Sequence, residues 1–176
     1  MTTAVRPAPG EYAPYYARYI DLVPDGPVVE ALRRQITETQ TLLRGLSAEQ
    51  AAFRDAPGKW SVTEVVGHLA DAERIFAYRA LRFARGDATH LPGFDESAYA
   101  AQAGFGARLL AEVLAELVAV RAATVALYSG FDEAALGRRG IANDVPVSVR
   151  AIAWIIAGHE IHHRTILRER YLAAAP

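Results

Sequence analysis

Three of the five histidines in this 176-residue chain fall in one short run, Gly158-His-Glu-Ile-His-His-Arg164. His159 and His163 are four residues apart. On an α-helix, residues at i and i+4 stand about 40° apart round the axis and one turn apart along it. Two imidazoles at that spacing can converge on one point and present two nitrogens at about 2.0–2.1 Å from a single ion. The face that carries them continues as Ile152, Ile155, His159, His163 and Ile166, so two polar rings interrupt an apolar stripe. Rings placed there cost free energy unless their nitrogens are satisfied, and a metal ion satisfies them. Upstream, His68 shares a helical face with Ala72, Ile75 and Arg79 and is the natural third ligand. Taken alone, a core histidine such as His68 is more often hydrogen-bonded than metal-bound, whereas the paired histidines weigh evenly between the two. Three neutral ligands leave at least one coordination position open, the arrangement of a catalytic rather than a structural site. Ligation needs neutral imidazoles, so binding is expected to weaken below about pH 6.5.

The neighbouring residues admit more than one role. His162 lies on the other side of His159 and could be a ligand, a partner of a ligand or a surface residue; His90 falls in a loop and reads as exposed. His159-Glu-Ile-His162 spells H-E-x-x-H, the helix motif of zinc proteases, with Glu160 as general base. Against a protease, no histidine follows His163 to supply the third ligand, and no strand is evident to hold a peptide. Asp71 could orient a ligand imidazole or pair with Arg74 at i+3. Arg79, Arg82 and Arg85 could bind an anionic substrate or form a solvated face near a helix C-terminus. Tyr12, Tyr15, Tyr16 and Tyr19 could cover the mouth of a metal pocket or simply pack.

These residues need elements to hold them. Residues 1–24 carry four prolines and no steady period and read as an extended arm, followed by one domain over 25–173. Pro27 suits a first helical position, and apolar spacing predicts helix one over 27–44, ended by Gly45. Ser47-Ala-Glu-Gln50 is a capping box that opens a short turn, and Ser61-Val-Thr-Glu64 is a second that starts helix two, over 62–85. From Gly86 to Phe105 a loop is expected, with one turn near Glu96 to Ala100. Helix three is predicted over 106–128 and helix four over 148–172, separated by an irregular stretch with Gly137, Gly140 and Pro146. No segment shows strand alternation, so the expected class is all-α, a single four-helix bundle. The Gly86–Phe105 link far exceeds the roughly 2–8 residues that antiparallel neighbours need, which implies a long crossover between helices two and three.

Composition excludes several classes. There is no cysteine, so disulfides, thiolate zinc sites and cysteine nucleophiles are ruled out. Net charge is −1, from 19 basic and 20 acidic residues, which gives no global attraction to nucleic acid. No run approaches the roughly 20 apolar residues that span a bilayer. No signal-peptide pattern opens the chain, so a cytoplasmic location away from membranes is expected.

Three stretches together, Trp60-Ser-Val-Thr-Glu64, Gly67-His-Leu-Ala-Asp71-Ala-Glu-Arg74 and Gly158-His-Glu-Ile-His-His-Arg164, resemble the DinB-like (damage-inducible) superfamily. The resemblance runs from about Tyr12 to Tyr171. It implies up-down-down-up topology and a homodimer. It also implies one divalent ion on His68, His159 and His163, with zinc or nickel first and iron or manganese next. Members of that family include S-transferases that use low-molecular-weight thiols and a thiol-dependent isomerase. Relatives often follow the paired histidines with Arg-Gly-Gln, where this chain has Arg164-Thr-Ile166, which places it in a different branch. The expectation is a metal-dependent transferase or hydrolase acting on a small molecule, with a non-catalytic metal-binding stress protein as the alternative.

Overall fold

Across residues 5–174, which the computed structural model describes, the chain forms α1 (Ala17–Ile20), α2 (Val28–Leu43), α3 (Ala48–Ala52), α4 (Val62–Ala84), α5 (Glu96–Ala103), α6 (Leu110–Ser129), α7 (Glu133–Gly137) and α8 (Val149–Ile166). A hairpin, β1 (Arg139–Ala142) and β2 (Val145–Ser148), precedes α8. Local chemistry sets the helix starts. Both capping boxes form, Ser47 with Gln50 and Ser61 with Glu64, each side chain satisfying the other residue's backbone N–H. The Ser148 hydroxyl accepts from the Ala151 N–H and opens α8.

The four long helices α2, α4, α6 and α8 form the bundle, and two apolar clusters fix their directions. One cluster joins Val28 and Leu32 of α2 to Phe76 and Phe83 of α4, Val125 and Tyr128 of α6, and Ile152 and Ile156 of α8. The other joins Leu43, Val62, Val66, Val113, Leu117 and Leu167. The early residues of α2 and α8 thus meet the late residues of α4 and α6, which is up-down-down-up. The crossover expected between helices two and three is the segment that returns the chain along the bundle. It holds α5 and a 3₁₀ turn at Phe105–Ala107, whose Phe105 ring packs against Gly67; a Cβ there would come within 2.3 Å of the ring. No helix among the described residues is long and apolar enough to cross a membrane.

Several expectations change in detail. The stretch before helix four is a β-hairpin rather than irregular chain, closed by Asn143 and Asp144 at φ of 53° and 61°. That is the left-handed pair a two-residue turn requires, and strands of four residues are too short to show alternation. Helix three starts at Leu110, not 106, because the 3₁₀ turn occupies the preceding residues. The turn near Glu96 extends to Ala103, and α8 passes into a π-helical turn over Leu167–Tyr171. Residues 1–4 of the expected arm lie outside the described residues. The rest is not wholly extended: Pro14–Ile20 winds into two helical turns, and Tyr19, Ile20 and Val23 are buried. This docking needs Gly158, since a Cβ at that position would sit 2.0 Å from the Tyr19 carbonyl oxygen.

Between the two apolar clusters lies a buried polar layer centred on Arg121 of α6. Its Nε and Nη2 donate to the two carboxylate oxygens of Glu73 on α4, each at 2.8 Å. Its Nη1 donates to the Leu32 carbonyl of α2 at 2.9 Å and lies 2.6 Å from Glu160 Oε2 of α8. The Thr39 hydroxyl of α2 donates to the other Glu160 oxygen at 2.5 Å. One guanidinium therefore touches all four helices, and Arg121, Glu73 and Glu160 are no more than 3% exposed. Removing one member of a buried ion cluster leaves charge without a partner, which costs roughly 3–5 kcal/mol. Arg121→Leu is expected to lose about that much unfolding free energy in urea titration; a loss below about 1 kcal/mol would contradict the role given to Arg121.

Candidate metal centre

His68 comes from the second turn of α4, and His159 and His163 from successive turns of α8, which runs antiparallel to α4 beside it. The three side chains meet. His68 Nε2 is 3.2 Å from His159 Nε2, and His163 Nε2 is 3.1 Å from the same atom. All three residues place a nitrogen within 4.8 Å of one another, the only such group of metal-ligating side chains among the described residues. Nitrogens on adjacent corners of an octahedron or tetrahedron with bonds of about 2.1 Å stand roughly 3.0–3.4 Å apart. The spacing fits a shared ion.

Hydrogen bonding alone does not account for it. A neutral imidazole carries one donor and one acceptor nitrogen. Three Nε2 atoms facing one point cannot all pair with each other, and the ring nitrogens have no other hydrogen-bond partner among the described residues. Three lone pairs directed at a cation resolve that conflict. The protonation state agrees. Burial pushes His68 down to about 4. Burial, with the nearby His68 ring second, pushes His163 down to about 3, and burial, then His163 and His68, holds His159 well below its ordinary range. The rings are neutral at neutral pH, as ligands must be.

Aromatic groups wall the cluster. Trp60 packs on His68 with centroids 4.7 Å apart, and Tyr19 stands edge-on to His159 at 5.3 Å. The approach of Tyr19 depends on the arm lying against Gly158, so the tyrosine arm does cover one side of the histidines. Two cavities flank them. One of about 230 Å³ is bordered by His159, Tyr16, Tyr19, Phe76, Arg79 and Phe94. The other, of about 330 Å³, is bordered by His163, Trp60, Lys59 and Tyr171. A third space of about 10 Å³, the room of one water, separates His159 from Glu73, Arg121 and Glu160.

Of the other residues singled out from the sequence, His162 does not join the cluster; it packs against Tyr19 at 5.4 Å, half-exposed. Glu160 is neither solvent-facing nor beside the converging nitrogens as a base, because Arg121 and Thr39 hold its carboxylate. The H-E-x-x-H geometry is therefore not assembled: His159 is joined by His163 and by His68 of another helix. Asp71 pairs with Arg74 at 3.2 Å, and His90 is exposed in its loop. Arg82 bonds Asp87 and Tyr78, but Arg79, which a solvated face would expose, is buried at 4%. Sequence reasoning passed over Arg121 and Glu73. Their one visible signal is a charge on the buried stripe of an otherwise apolar helix face.

The model of the DinB superfamily matches residues 31–167, from the first turn of α2 to just beyond the end of α8. Among solved structures, YfiT from Bacillus subtilis is similar with a TM-score of 0.73 at 18% identity, over 83% of this chain and 85% of that one. YfiT is described as "a probable metal-dependent hydrolase with an unusual four-helix bundle topology". Compared with curated proteins by sequence, the chain matches none. The family match spans the whole bundle, including both helices that carry the three converging histidines, and the protein belongs to the DinB superfamily.

Proposed function

We propose that the chain is a metal-dependent enzyme acting on a small molecule, by hydrolysis or thiol transfer, with one divalent ion held by His68, His159 and His163. The observation that carries this reading is the meeting of three Nε2 atoms, from buried His68 and His159 and half-buried His163, that have no partners but each other. Among the described residues no fourth His, Cys, Asp or Glu joins them, and cavities border both His159 and His163. Such a site is open rather than closed by protein, which favours catalysis over a purely structural ion. The description of YfiT as a metal-dependent hydrolase supports the hydrolytic branch, and the family resemblance supports the thiol branch. Zinc or nickel suits three imidazoles best, with iron or manganese next.

When bound, the ion would activate a water or a thiol by stabilising its deprotonated form. The residues of the chain supply the rest. Trp60, Tyr19 and Phe76 exclude bulk water from the rings, which strengthens electrostatic interactions inside the pocket. Arg121 fixes Glu160, and with it the turn of α8 that carries His159 and His163. Arg164 anchors the same helix to α2 through Glu38 at 2.8 Å.

Untagged protein measured by elemental mass spectrometry is expected to carry near-stoichiometric divalent metal, and the His159→Ala, His163→Ala double variant none. A wild type that holds no metal, even after incubation with each ion, would sink the reading.

The depressed histidines also fix a pH response, and its sign follows from linkage. Each ring binds protons more readily unfolded, at about 6.5, than folded, where His68 lies at about 4 and His163 at about 3. Their contribution is complete above about pH 6.5 and is lost as the pH falls toward the folded-state values. The metal-free chain should therefore unfold at lower urea concentration at about pH 5 than at about pH 7.5. Equal midpoints would contradict buried neutral rings. Metal release, expected from the sequence below about pH 6.5, moves to lower pH, because protons compete poorly for desolvated rings.

A further inference from the structure

The cavity beside His159 contains a charge that the structure leaves unpaired. Arg79 is 4% exposed and borders that cavity together with His159. Its Nη2 donates to the Pro92 carbonyl at 2.7 Å, and its guanidinium stands 5.7 Å from the Phe76 ring centre. No carboxylate among the described residues lies within ion-pair distance of it. Glu96 borders the same cavity, but from the exposed rim. Every other arginine in the buried layers is neutralised: Arg121 by Glu73 and Glu160, and the partly buried Arg164 by Glu38.

A guanidinium has five N–H donors in a planar fork that matches a carboxylate with two parallel bonds. Burying one without a counter-charge is costly, and Arg79 spends a single hydrogen bond on the protein. Pro92 and Phe76 hold it in place, so little side-chain entropy remains to be lost when an anion arrives. Arg79 lies eleven residues after His68 on α4, three turns along nearly the same face, about 16 Å away by helix rise. The cavity is bordered by both Arg79 and His159. At about 230 Å³ it is smaller than the roughly 300–1,000 Å³ of drug-sized pockets, and Tyr16, Tyr19, Phe76 and Phe94 give it flat apolar walls.

We propose that Arg79 is the anion-recognition residue of this pocket, and that the site takes a small carboxylate-bearing molecule whose apolar, planar body lies between the aromatic walls with its far end at the histidines. The proposal rests on the metal-site reading for the role of that far end, but not for the binding of the anion.

Benzoate and its neutral counterpart benzamide serve as probes, titrated calorimetrically into the full chain as purified and again after chelation. Benzoate should bind at least tenfold more tightly than benzamide in both forms. Arg79→Gln should weaken benzoate at least tenfold while leaving bound metal and the circular dichroism spectrum unchanged, and Arg79→Lys should recover part of the loss. Ala13→Trp, which fills the cavity from the arm, should block benzoate with Arg79 intact. If benzoate binds no better than benzamide, or only with metal present and equally in Arg79→Gln, the proposal is overturned. The benzoate–benzamide comparison uses the unmodified chain, so poor folding of Arg79→Gln would not protect the idea. Arg79-dependent binding by a chain that holds no metal would support this proposal and count against the metal reading instead.

Discussion

The structure hangs on a single buried guanidinium. Arg121 cannot be desolvated without carboxylates, and the carboxylates it takes come from different helices, Glu73 of α4 and Glu160 of α8, while its remaining donor capacity goes to the α2 backbone. Apolar packing tolerates sliding; a bidentate pair and a second ion contact do not. With the four helices fixed at this level, the turn of α8 that bears Glu160 is fixed, and its neighbour His159 is set one residue away. His163 follows one turn later, and His68 stands opposite on α4, five residues before Glu73.

The same layer shapes the electrostatics of the centre. Glu73, Glu160 and Arg121 sum to one negative charge, buried across a water-sized space from His159. An excess of negative charge in a region of low polarity favours a cation nearby. The three rings offer neutral nitrogens at that place, so ligand type and surrounding field agree. Arg79 borders the same cavity as His159 with its charge unpaired, so the proposed anion site and the proposed metal site would share one pocket.

Much of this was legible in the sequence, because its signals are local. The H-x3-H spacing puts His159 and His163 on one helix face, and the capping boxes at Ser47 and Ser61 mark where helices begin. The length from Gly86 to Phe105 announces a crossover. The parts that were not legible depend on tertiary contact. The β-hairpin has strands too short for a period and is secured by contacts such as the Leu91 N–H to the Ile141 carbonyl, fifty residues apart. The ordering of the arm depends on a missing Cβ at Gly158. The surroundings of Glu160 and Arg79 were not legible, because helical period alone cannot show that a facing helix brings Arg121 to one and that Phe76 and Pro92 cover the other.

The central claim is that three imidazoles from two helices share one ion and leave it open. X-ray absorption at the edge of the metal bound by the purified protein addresses this directly. The account predicts the multiple-scattering pattern of three imidazoles at about 2.0–2.1 Å, with the remaining positions filled by light atoms that exchange with added small anions. A spectrum with fewer than two imidazoles, or a shell unmoved by any anion, would contradict it.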